Sequence, residues 1–382
     1  MKGKSLQYCV ENINPEQVTA ARELRGMTKK DLADRIGKSP SAITRIEKGE
    51  LRPELDTLFS LSQVLQVDHS FFALPRSSTH YTDLVDCHFR SKRSTSLALK
   101  RMAKQQGERL FRLVSHFEKH GVSFLEEQVS QLTTSIQSPV DIEELAYQVR
   151  STWGLGIGPI PDLMSLFESK GIRIFLLPEE SGNVDAFSAW IHTTPCIFLY
   201  SGKPASRINF DLAHELGHLI FHQDTETGDN KTEREANRFA SAFLLPKKTF
   251  STECPRRWSL QAYLALKKRW KVSIAAMLYR AKELRIISES SYRRSCIAMS
   301  PHRKEEPGEF THSRPELLSQ IVELVQDEVS LANIASELGY GSKQELRTVF
   351  LKQGVTETLL EKIDQQNDTA PSNLVYLRNG SK

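Results

Sequence analysis

Long hydrophobic runs are missing from this 382-residue chain. A membrane-crossing helix needs about eighteen or more apolar residues in a row, and no such stretch occurs. Cysteine is scarce. Cys9, Cys87, Cys196, Cys254 and Cys296 are odd in number, scattered, and never form C-x-x-C. That pattern argues against a disulfide framework or a thiolate zinc site and suits a reducing cytosol. The opening MKGKSLQYCVENINPEQ has neither an apolar h-region nor a cleavage site, so a cytoplasmic protein is expected. Net charge is also small, +4, but it is uneven. Arg76 to Lys119 holds ten Lys/Arg against four Asp/Glu, and Arg256 to Arg294 eleven against two. Such blocks either meet phosphate backbones with release of counterions or form solvated helical faces.

What is present is a globular composition, 39% apolar and 26% charged, with length enough for two or three domains. Residues 14–74 carry four or five short helical patterns and no strand signal. Asn14 precedes Pro15 as an N-cap with proline at the first helical position, and Gly26 ends that helix. Thr28 caps KKDLADRIG, which stops at Gly37; Ser39 caps PSAITRIEKG, with Pro40 at the first position and Gly49 as the stop. Leu55, Leu58, Leu61 and Leu65 then repeat at the helical period. Residues 75–140 read as a helical connector. Beyond Pro139 two helices precede three short runs, IRIFLLP, DAFSAWI and CIFLYS, rich in β-branched and aromatic residues and bounded by turn formers, as strands are.

The stretch NFDLAHELGHLIFHQD follows as a helix. His214 and His218 lie four positions apart and project from one face, where two imidazoles can hold one tetrahedral zinc. Glu215, about 100° round the helix, can lean over the metal as general base for its water. H-E-x-x-H arises by chance in roughly one chain of this length in fifty, so a third ligand is needed. His222 lies about 12 Å along a straight helix from His214, too far for one ion. Asp224 would require a sharp reversal of the chain. Glu233 begins a second helix, TEREANRFASAFLLP, with an apolar stripe through Ala236, Phe239, Ala240 and Phe243. Packing that helix on the first aims its carboxylate at the imidazoles, whereas Glu235 points to another face. Asn237, one turn after Glu233, is placed to hydrogen-bond a ligand. The bland alternative is a pair of core helices carrying histidines. Gly217 weighs against it, because a mid-helix glycine costs about 1 kcal/mol and implies close approach of another segment.

RINFDLAHELGHLIFH followed by EREANRFASAFLLP resembles the ImmA/IrrE metallopeptidases, and with flanking segments the resemblance covers about Asp141 to Ser295. It implies zinc held by His214, His218 and Glu233 in a gluzincin-like set, Glu215 as catalytic base and Asn237 as the hydrogen-bonding partner of a zinc ligand. It further implies an endopeptidase that cuts a DNA-binding repressor and derepresses stress, mobile-element or defence genes. The oxyanion-stabilising group stays open, with His222 and Arg207 as candidates. The strand PCIFLYS is expected to accept an extended peptide by β-addition, which requires it to lie at a sheet edge.

MTKKDLADRIGKSPSAITRIEKGELRP resembles the XRE/Cro repressors over residues 14–74. Ala33 and Ile43 would pack its two helices. Base reading would fall to Ser39, Ser41, Ala42, Thr44 and Arg45, with Thr28 and Lys29 on phosphate. Lys29 and Pro40 stand where the family often has glutamine, so amide reading of bases is reduced. The segment Met1 to Ser70 has eleven Lys/Arg against ten Asp/Glu. A helical protein-interaction module is the competing reading. A second helix–turn–helix pattern, SLANIASELGYGSKQELRTVFLK, faintly resembles AraC-type readers, although packing is the expected role.

The expected architecture is multidomain α and α+β. An N-terminal all-α helix-turn-helix bundle spans 1–74 and the helical connector 75–140. A zincin-like α+β peptidase with a small sheet and the H-E-x-x-H helix spans 141–299. A linker and C-terminal helical region occupy 300–370, and a flexible tail 371–382. The expected partners are DNA, a protein substrate and a second copy of the chain, since XRE domains commonly pair on two-fold sites. The alternative is a non-enzymatic XRE-family transcription factor or antitoxin-like protein that keeps zinc for structure or sensing.

Overall fold

The computed structural model describes residues 5–75, 88–91, 96–133, 141–178, 184–221, 230–302 and 305–366. Within them the chain is mostly helical, with one small sheet.

The N-terminal bundle comprises α1 (Leu6–Glu11), α2 (Pro15–Leu24), α3 (Lys29–Ile36), α4 (Pro40–Glu47) and α5 (Leu55–Leu65). Its boundaries follow local chemistry. Asn14 caps α2 through the Glu16 amide, Thr28 and Asp31 form a reciprocal capping box on α3, and Ser39 caps α4. Gly37 ends α3 in the left-handed region at φ 65°. Val18, Ala33, Ile43, Leu58 and Leu61 form the bundle's core. Glu47 is buried rather than solvated. Its carboxylate takes both Nε and an Nη of Arg22, at 2.6 and 3.1 Å, and so locks α4 to α2.

A short strand β1 (His88–Ser91) precedes the long helix α6 (Leu97–Lys119), and α7 (Ser130–Thr133), α8 (Ile142–Thr152) and α9 (Leu163–Ser169) follow. The strand is a departure from expectation, for residues 75–140 read as helical. Its extended form comes from pairing with β3 (Val184–Ile191). With β2 (Arg173–Leu177) and β4 (Thr194–Tyr200) they make a sheet of order β1-β3-β4-β2. β3 is antiparallel to both β1 and β4, and β2 is parallel to β4. The three expected strands are therefore present. The β4 segment is nevertheless interior, hydrogen-bonded on both sides, so it has no free edge to accept a peptide.

Both faces of the sheet are covered, and the period of two sorts its side chains between two cores. Ile174, Leu176, Ala186, Ile197 and Leu199 join the core around α10 (Ala205–Phe221) and α11 (Asn230–Leu244). Phe175, Phe187 and Phe198 face α6 and the C-terminal helices. Gly107 of α6 makes that approach feasible, because a Cβ there would stand 2.9 Å from the Phe198 ring.

Beyond α11 run α12 (Lys247–Glu253), α13 (Leu260–Trp270), α14 (Ile274–Glu283) and α15 (Glu289–Ala298), then α16 (Leu317–Val325), α17 (Leu331–Glu337), α18 (Lys343–Lys352) and α19 (Glu357–Gln366). The second basic block is largely consumed within the molecule. Lys267 is buried between Glu306 and Glu309, and Arg280 between Glu143 and Glu283. The polar stretch expected as a linker thus fastens two helices. Glu306 accepts the Ile274 and Ala275 amides at the head of α14, and Glu309 accepts the Ser206 amide at the head of α10.

The second helix–turn–helix pattern is realised as α17 and α18, but its turn packs inward. Tyr340 is buried, pairs through its backbone with Val67 of the N-terminal bundle, and lies under the Arg109 guanidinium. Two cations of α18 are neutralised locally, Arg347 by Glu357 and Asp364, and Lys343 by Asp364. Packing uses this unit's turn and its charge.

Candidate metal centre

α10 and α11 lie against one another where Gly217 leaves room. A Cβ at that position would stand 3.1 Å from the Phe239 ring and 3.4 Å from the Ala236 Cα. This close crossing sets Glu233, in the first turn of α11, opposite the two imidazoles of α10. His214 Nε2 and His218 Nε2 are 3.0 Å apart, and each lies 3.5 Å from a Glu233 carboxylate oxygen. A tetrahedral ion with bonds of about 2.0–2.1 Å sets its ligand atoms roughly 3.3 Å apart. The donor set therefore fits one small transition-metal ion. Burial alone would raise the Glu233 carboxyl, but hydrogen bonds and charge from His214 and His218 outweigh it and hold the group well below the usual carboxylate range.

The surroundings orient these donors. His214 Nδ1 donates to Asn237 Oδ1 at 3.2 Å, which leaves Nε2 for a metal. The Asn237 amide nitrogen is tied in turn to the Glu233 carbonyl at 2.7 Å. His214, Glu215 and His218 are buried, whereas the Glu233 side chain is 32% exposed, so the centre is approached from the Glu233 side.

Glu215 takes a separate support. Ser188 Oγ on β3 donates to its carboxylate at 2.6 Å. Nearby, Trp190 Nε1 donates to the Leu219 carbonyl at 3.0 Å and fixes α10 on the sheet. Lys203 bridges Asp185 and Asp211 at 2.8 and 2.7 Å, joining the start of β3 to α10 one turn before Glu215. None of these supports was expected from sequence, since a serine inside a strand and a lysine in a loop carry no distinguishing signal. The edge of β3 beside the centre is covered by β1, with His88 in register with Ser188.

Next to Asn237 opens a cleft of about 560 Å³, lined by Arg207, Phe210, Arg234, Arg238 and Tyr279 among others. Arg207 itself pairs with Asp211 and Asp185 at 3.3 and 3.6 Å. His222 and Asp224 lie outside the described residues.

In the N-terminal bundle, Ser39 at the cap of α4 and Ser41 and Arg45 on it are exposed, and Ala42 and Thr44 are half-buried there. Thr28 is exposed with its hydroxyl committed to Asp31 at 2.6 Å, and Lys29 lies 3.3 Å from Glu47. The Thr44 hydroxyl is back-bonded to its own helix, donating to the Pro40 carbonyl at 3.0 Å.

A helix bearing two histidines, packed on a helix bearing a carboxylate and backed by a small sheet, defines a metallopeptidase-like domain, here on one chain with a DNA-binding helix-turn-helix. Comparison with known families agrees on both halves. Residues 167–282 match a peptidase family described as the IrrE N-terminal-like domain, and residues 18–72 match the helix-turn-helix family of XRE type. No curated protein matches the chain.

Proposed function

We propose that this chain is a cytoplasmic DNA-binding regulator with zinc-dependent endopeptidase activity, cutting a repressor-type protein to derepress stress, mobile-element or defence genes. The observation that carries the reading is the meeting of His214, His218 and Glu233 donor atoms within 3.5 Å, with Glu215 alongside. Among the described residues the cluster has three donors, which leaves a tetrahedral ion one position for water or substrate. Bound there, zinc supplies Lewis-acid polarisation of the scissile carbonyl and acidifies water. Glu215 would accept a proton from the attacking water and return it to the leaving amine. Ser188 keeps the Glu215 carboxylate aimed during both transfers, and Asn237 keeps His214 in the ligating tautomer. The cleft beside Asn237 receives a side chain flanking the scissile bond. An extended substrate reaches β3 by displacing β1. Ser39, Ser41, Ala42, Thr44 and Arg45 would read bases, with Thr28 and Lys29 at phosphate.

The test is incubation of wild type and Glu215→Gln with DNA-binding proteins encoded nearby, with and without DNA. Cleavage by the wild type alone is expected. Equal inertness of the two zinc-loaded proteins under all conditions would replace this reading with a non-enzymatic regulator.

A further inference from the structure

The far end of α6 carries a second pair of histidines at helical spacing. His116 occupies its last turn and His120 its C-cap, with ring centroids 4.4 Å apart. Glu337, the final residue of α17, brings Oε2 to 3.6 Å from His116 Nδ1. One donor atom from each of His116, His120 and Glu337 lies within 4.8 Å of the other two. The arrangement is separate from the first centre, because α6 packs on the sheet face opposite α10.

Two further observations point to a cation. His120 Nδ1 lies 2.7 Å from the His116 carbonyl and must donate to it, so the neutral ring keeps its lone pair on Nε2. Backbone carbonyls orient metal-ligating histidines in this way. In addition, Glu337 sits at the C-terminus of α17 and meets the C-terminus of α6. Both helix ends carry partial negative charge, so a carboxylate there is unfavourable unless a cation accompanies it. Lys119 and Glu118 on the same turn cancel in formal charge.

We propose that His116, His120 and Glu337 bind one divalent transition-metal ion, of the class for which imidazole and carboxylate are suited ligands, such as zinc. Reaching the roughly 3.3 Å spacing of a tetrahedral ion needs small rotations of His120 and Glu337, both of which are exposed. The ion clips α6 to α17. The turn after α17 holds the N-terminal bundle, since a Cβ on Gly339 would meet Phe71 at 2.7 Å. Metal occupancy therefore stiffens the platform on which the helix-turn-helix domain rests.

The experiment is zinc binding to the chelator-stripped full chain by equilibrium dialysis, in wild-type and His214→Ala backgrounds. His120→Ala and Glu337→Ala, both surface changes, are introduced into each, with circular dichroism confirming the fold. Each change should weaken one equivalent of zinc at least tenfold in both backgrounds, whatever happens at the first centre. Zinc should also slow amide exchange at the α6–α17 contact in the His214→Ala protein and lose that effect with His120→Ala. The proposal is overturned if neither change alters any equivalent, or if an equivalent binds there without protecting α17.

Discussion

In the reaction proposed above, proton transfer would depend on Glu215 and on Ser188, which donates to its carboxylate. Glu215→Gln keeps the shape of the side chain and removes its basicity. Turnover should fall by about 10²–10⁴-fold while zinc stoichiometry by metal analysis stays unchanged. Ser188→Ala leaves the carboxylate in place but unsteadied on that side. A smaller loss confined to kcat, with KM held, is the expected result in steady-state kinetics. In the same proposal Asn237 would act through the metal ligand His214 instead. Its alanine variant frees the His214 tautomer, so zinc affinity measured with a competing chelator should drop about 10–100-fold.

Among the elements, α10 depends on a residue far from it in sequence. Glu309 accepts from both the Ser206 amide and hydroxyl, at 2.6 and 3.1 Å, and places negative charge at the helix's positive end. Glu309→Ala should cost about 1 kcal/mol, read as a lower midpoint of thermal unfolding. This cap shows what sequence could and could not disclose. Asn14, Thr28, Ser39 and Gly37 act within a few residues of themselves, so the N-terminal helices were legible. That His214, His218 and Glu233 converge was legible too, because helical geometry ties spacing to direction. Glu309, Ser188 and Lys203 act across the fold, with no local pattern to mark them. β1 was illegible for a related reason, since four residues in a basic segment extend only because β3 offers them an edge. The assignment of β4 as the receptive strand failed likewise, because strand order is set by tertiary pairing.

At the scale of the molecule, half-buried carboxylates join the parts. Glu345 receives Arg109 at 2.7 Å and Arg25 at 3.3 Å, tying α18 to α6 and to the N-terminal bundle. Glu168 accepts the Glu316 and Leu317 amides at 2.9 and 3.2 Å and so holds α16 against α9. Burial pushes the Glu168 carboxyl up from 4.5 to about 7, despite those hydrogen bonds. A folded-state value above the unfolded one gives a contribution complete below pH 4.5 and lost as pH rises through about 7. The stability of wild type relative to Glu168→Gln should therefore decline across that window, by up to about 3 kcal/mol in denaturant titrations.

β1 lies in the segment joining the DNA-binding bundle to α6, and it fills the edge of β3 beside Glu215. It is an intramolecular ligand. A tethered strand competes at an effective concentration on the order of millimolar, so a free peptide must outbid it by affinity or by abundance. Under the proposed peptidase reading, weak random encounters would be filtered out, and a long or tightly held substrate would gain entry. Proline at both Phe89 and Arg90 removes the competitor whichever amide faces β3. Peptide KM should then fall, with kcat unchanged, if the strand acts as a built-in threshold.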